Sequence, residues 1–87
     1  MRKYHAQNLE AHCVTAEMVE EALADPFVVD EDLEPHRGNW RVMFVGKTQS
    51  ERLLEIGIEY RDYDIEFVFH GMSATPYYAA LYERQGK

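Results

Sequence analysis

The 87-residue chain has a single cysteine, Cys13, which excludes an internal disulfide and any zinc site built from several thiolates. No apolar run approaches the ~20 residues that a helical membrane span needs. No hydrophobic stretch follows Met1-Arg2-Lys3-Tyr4-His5, so no secretory leader is expected and a cytoplasmic location is. Repeats, low-complexity tracts and interdomain linkers are missing, and the length suits one domain spanning residues 1–87. There is no phosphate loop, no G-x-S-x-G and no H-E-x-x-H. Positive charge is scarce as well: the net charge of −7 argues against generic nucleic-acid affinity, which needs a basic footprint.

What is present points to a packed domain. A hydrophobic content of 46% is enough for a core and too much for a disordered chain. The charge is uneven. Residues 1–36 carry nine acids and two bases, whereas residues 37–87 carry seven of each. A basic patch can therefore form in the second half if Arg37, Arg41, Lys47, Arg52 and Arg61 converge.

Local patterns order the elements. A weak helical pattern covers residues 3–11. A clearer helix is expected over about 16–24, with Thr15 as N-cap, Val14 and Val19 at hydrophobic-staple spacing, and Pro26 as the stop. Strands are expected at about 27–30, 40–46, 52–60 and 63–70. Asp30 to Asn39 reads as a polar loop, and Gly46-Lys47-Thr48-Gln49-Ser50 as a hairpin turn. A two-residue turn at Arg61-Asp62 would set Ile58 against Ile65 and Ile56 against Phe67, leaving one apolar face. Glu55, Glu59, Asp64 and Glu66 then share the outer face, either solvated, covered by a partner or holding a hard cation. A last helix is expected over 76–84, with Thr75 as N-cap and Pro76 at its first position. The expected architecture is α+β: a four-stranded antiparallel sheet with helices on one face, in two layers.

Candidate chemistry rests on isolated side chains. Of His5, His12, His36 and His70, the last is best placed, at a strand end beside Gly71. It can act as a general acid or base, or simply fill the strand–helix corner. Tyr77, Tyr78 and Tyr82 can stack on bases or pack the helix onto the sheet.

Several segments together resemble the BrnT-type toxins. These are Glu10-Ala11-His12-Cys13-Val14-Thr15 with the following helix and Asp25-Pro26, Val45-Gly46-Lys47-Thr48 with Arg52-Leu53-Leu54, and Phe69-His70-Gly71-Met72-Ser73-Ala74-Thr75 with Tyr82-Glu83. The resemblance covers about residues 8–84 and implies a fold akin to RelE-type ribonucleases. It further implies RNA cleavage without a cofactor or metal, and inhibition by a ribbon-helix-helix antitoxin. By position it marks His12, Lys47 and Arg52 as site residues, beside His70. The sequence departs from the pattern at Ala11, where the family has lysine, and at Cys13, where it has glycine. It departs again at His70, where serine is common, and at Met72-Ser73, where Arg-Lys is usual, which removes a phosphate ligand. Those departures and the acidic first half support an alternative. On that reading the chain is a non-catalytic interaction module, or a homodimer, on the same scaffold, meeting a basic protein partner.

Overall fold

The computed structural model describes residues 1–24, 27–61 and 64–84, with the backbone alone over 27–34. Strand β1 (Arg2–Tyr4) is followed by helices α1 (Ala6–Ala11) and α2 (Ala16–Ala22). Strands β2 (Phe27–His36), β3 (Asn39–Lys47), β4 (Leu53–Arg61) and β5 (Ile65–Ser73) then lead to helix α3 (Pro76–Arg84). The sheet has the order β1-β5-β4-β3-β2. β2 to β5 pair antiparallel in sequence, and β1 lies parallel to β5. The fold is α+β, but the sheet has five strands and is mixed rather than four-stranded and antiparallel.

The fifth strand comes from the segment expected to be helical over 3–11. Lys3 pairs with Phe67, and the His5 amide donates to the Val68 carbonyl, so extended pairing wins until α1 starts. His5 then caps α1 through its ring nitrogen, which accepts from the Asn8 amide. Thr15 caps α2 as expected, with its hydroxyl accepting from the Met18 amide. The expected stop at Pro26 lies outside the described residues.

Two hairpins depart from their expected form. The segment expected as a loop from Asp30 to Asn39 is strand as far as His36, with register shifts after Val28, Asp30 and Leu33. It turns on Arg37 and Gly38, whose φ values of 53° and 82° are those of a two-residue turn matched to strand twist. Between β4 and β5, Arg61 pairs with Ile65 and Ile58 with Val68, not with Ile65. The Arg61-Asp62 turn and a strand start at Tyr63 rest partly on residues outside the described ones. Ile58 moves from Ile65 to Val68, an odd shift that exchanges the faces of β5 as far as Val68, whereas past the register shift between Gly57 and Ile58 the displacement is even and His70 keeps its expected face. Val68 consequently joins the core, and Phe67 moves to the opposite face.

One face of the sheet packs against α1 and α2. Leu54, Ile56, Ile58 and Val68 meet Leu9, Val14, Val19 and Ala22 in a single buried cluster. The other face carries Val45, Glu55 and Glu59, all buried, together with Met43. The amide of Thr75 donates to Glu55 Oε1 at 2.7 Å, so α3 starts on this face, and it contacts β2 and β3. Helices therefore flank both faces, correcting the expected two-layer arrangement. Buried Met43 and Val45 supply the apolar surface that the second layer covers.

The acids expected on this face do not form one solvated set, since Glu66 pairs with Tyr60 on the opposite face and bonds Arg2 there. Glu59 is 1% exposed, and its two oxygens accept from Arg41 Nε at 3.0 Å and Arg61 Nε at 2.6 Å. Arg41 stacks over the Phe69 ring and Arg61 over the Phe67 ring, so the register that moves Phe67 outward also roofs the carboxylate. Among the described residues no helix is long and apolar enough to cross a membrane.

Candidate functional site

The tips of β4 and β5, together with the turn between α1 and α2, bring most of the expected site residues into one cluster. The turn is built first. The Val14 amide donates to the Leu9 carbonyl and the Cys13 amide to the Glu10 carbonyl, the paired bonds of a Schellman cap. Cys13 occupies the left-handed position at φ 56°, where glycine is favoured. The cap fixes His12 at the C-terminus of α1, with its side chain half-buried.

His70 approaches from β5. Its Nε2 lies 2.8 Å from Glu55 Oε2 on the neighbouring strand. A carboxylate only accepts, so Nε2 carries the proton of this bond and Nδ1 is the nitrogen left for other chemistry. The second oxygen of Glu55 accepts from the Thr75 amide, so the carboxylate is fixed at both ends. Its side chain is 6% exposed, whereas that of His70 is 25% exposed and open to a ligand. The rings of His12 and His70 are tilted to each other, with centroids 6.3 Å apart. Next to His70, the Gly71 amide donates to Asn8 Oδ1, which ties α1 to β5 at this point.

Arg52 begins β4's approach from the Thr48 turn. The Thr48 amide donates to the Arg52 carbonyl, and the Arg52 amide donates back to the Thr48 hydroxyl. The guanidinium reaches across the sheet tip to three protein acceptors. Nη1 donates to the Cys13 carbonyl at 2.8 Å, Nη2 to the His12 carbonyl at 2.9 Å, and Nε to Ser73 Oγ at 3.0 Å. Lys47 ends β3 at the same tip, paired with Leu53. It is exposed, and its ammonium has no hydrogen bond or ion pair among the described residues.

The structure thus joins His12, His70 and Arg52, whereas Lys47 stands opposite Leu53, four residues along β4 from Gly57, the partner of His70, and on the far side of that strand, so it is outside the cluster. His5 is spent as a helix cap, and His36 sits at the β2–β3 turn, at the other end of β3 from Lys47. Glu55 as the partner of His70 was not legible in the sequence, because the expected register set it opposite Val68. The available signal was an acid between aliphatic residues, Leu54 and Ile56, which burial obliges to find a partner.

Chemically, a carboxylate-oriented imidazole with a second imidazole beside it can take up and give back protons. Among the described residues no group of three or more His, Cys, Asp or Glu side chains is arranged to hold a metal ion. In comparisons with known proteins, no family model and no curated protein sequence matches the chain.

Proposed function

We propose that the chain is a metal-independent endoribonuclease of the toxin type, cutting single-stranded RNA with His70 and His12. The observation that carries the reading is the bond from His70 to buried Glu55, with the His12 ring 6.3 Å away at a partly open sheet tip. His70 Nδ1 takes the proton of a ribose 2′-OH as its oxygen bonds to the adjacent phosphorus. The phosphorus–5′-oxygen bond breaks, and His12 gives a proton to the departing oxygen. The products are a 2′,3′-cyclic phosphate and a 5′-hydroxyl, and no oxidant or cofactor takes part. Glu55 holds the His70 tautomer without touching substrate. The BrnT resemblance supports the same reading and supplies its partner, a ribbon-helix-helix antitoxin.

Inducible expression in a bacterial host tests it. The wild-type chain arrests growth, His70→Ala relieves the arrest at equal protein level, and His36→Ala does not. Growth unaffected by wild-type protein, or arrested equally by His70→Ala, overturns the reading.

One observation favours the alternative of a non-catalytic module that binds a basic protein. All three nitrogens of Arg52 are engaged by acceptors of the chain itself, at a position where the resemblance implies a site residue. On that reading Glu55–His70 is a buried acid with its structural partner. A salt-sensitive complex with a basic protein, without RNA cleavage, is its signature.

A further inference from the structure

The geometry points to Arg52 as a positioning residue that clamps the His12 turn to the sheet, not as a ligand of the RNA phosphate; this rests on the ribonuclease reading above. From the start of β4 its guanidinium bonds two other chain segments, the α1–α2 turn through two carbonyls and β5 through Ser73. The two carbonyls belong to His12 and Cys13, the last residues of the cap that orients the His12 ring. Carbonyls at a helix C-terminus lack intrahelical donors and carry its partial negative charge, so a planar cation satisfies both demands at once. The planar fork is what lets one side chain reach two successive carbonyls and a hydroxyl, and a lysine ammonium has no equivalent geometry.

This placement has a cost for any role at the phosphate. Three of its five N–H donors are taken by acceptors of the chain, and a phosphate that turned the fork away from the two carbonyls would loosen the residue that holds the second imidazole.

The test uses the full chain and a non-cleavable DNA oligonucleotide as the probe, with Arg52→Lys, Arg52→Ala and Ser73→Ala variants. Amide hydrogen exchange is read at His12, Cys13 and Val14, and oligonucleotide affinity is read against salt. A clamp predicts exchange at these amides faster by roughly tenfold or more in both Arg52 variants, with a smaller rise in Ser73→Ala. The salt slope stays at the wild-type value in Arg52→Ala, because no phosphate contact is lost. A slope reduced by about 0.7 in Arg52→Ala, the loss of one single-strand phosphate contact, overturns the proposal. Unchanged exchange at the three amides in Arg52→Lys overturns it too. If Arg52→Ala does not fold, Arg52→Lys and Ser73→Ala decide by exchange alone. A chain that cuts no RNA but shows the exchange pattern refutes the ribonuclease reading and leaves the clamp standing.

Discussion

At the scale of single residues, Glu59 shows how this chain keeps an acid in its interior. Burial pushes its carboxyl up, but the hydrogen bonds and charges of Arg61 and Arg41 pull it down further, and the net direction is down. A carboxyl whose folded pKa lies below its unfolded value stabilises the fold above about pH 4.3, and that contribution disappears as pH falls through the folded value. Urea denaturation followed from pH 7 to pH 3 is expected to show this loss in the wild type and a flatter acid limb in Glu59→Gln. A wild-type and variant with parallel acid limbs contradicts the assignment. His70 and His12 belong to the same scale. Replacing either by alanine is expected to lower RNA cleavage by roughly 10²–10⁴-fold, the range of a general acid or base, while His36→Ala leaves it unchanged. His70 stood out in the sequence at an expected strand end beside Gly71, where a rigid support can hold a site residue, but β5 runs on to Ser73 and His70 lies within it. Its partner was not legible, because cross-strand register is a property of two segments and of the turn between them.

At the scale of elements, close approach and turn geometry set the constraints. A Cβ on Gly46 would stand 2.0 Å from the Ala22 carbonyl oxygen, so α2 can lie on β3 only over glycine. Gly46→Ala is expected to destabilise by about 1–3 kcal/mol, as overpacking of a well-packed contact does, measured by the urea midpoint. The opposite sign is expected at the α1–α2 turn. Cys13 sits at φ 56° without the freedom of glycine, so Cys13→Gly should raise stability by about 1 kcal/mol and leave the His12 cap intact. A lower midpoint would show that the side chain, not the backbone, decides at this position. The caps and the apolar stripe of α2 could be read locally, since Thr15, Val14 and Val19 act within one turn. The start of β2 could be read from Phe27-Val28-Val29, but not its continuation to His36, because the acidic residues and Pro35 imitate a loop while pairing with β3 supplies the hydrogen bonds. The faces of β5 failed for a related reason: Phe67 and Phe69 look like core residues until Arg41 and Arg61 offer them cationic partners.

At the scale of the whole molecule, the sheet is closed on one side by the short β1 and not by one of its long strands. Arg2 bridges Glu20 of α2 and Glu66 of β5, and the Tyr4 hydroxyl donates to Glu20, so β1 links the helical layer to the sheet edge. Burial and then Glu20 push the Tyr4 phenol up to about 12. A group whose pKa is raised on folding stabilises below its unfolded value of about 10, and that stability is lost as pH rises through the folded one. An ultraviolet phenolate titration of Tyr4→Phe is therefore expected to lack the latest-titrating step of the wild type. This edge strand was hidden in the sequence because three residues carry no periodicity, and only their parallel pairing with β5 defines them. The proposed function rests at this scale on the two neighbouring imidazoles, one of them fixed by a buried acid. The most direct measurement is incubation of end-labelled single-stranded RNA with purified chain in excess chelator, with the product ends identified. The account predicts fragments ending in 2′,3′-cyclic phosphate from the wild type and their loss in His70→Ala. Intact RNA with the wild type, or equal cleavage by the variant, would contradict it.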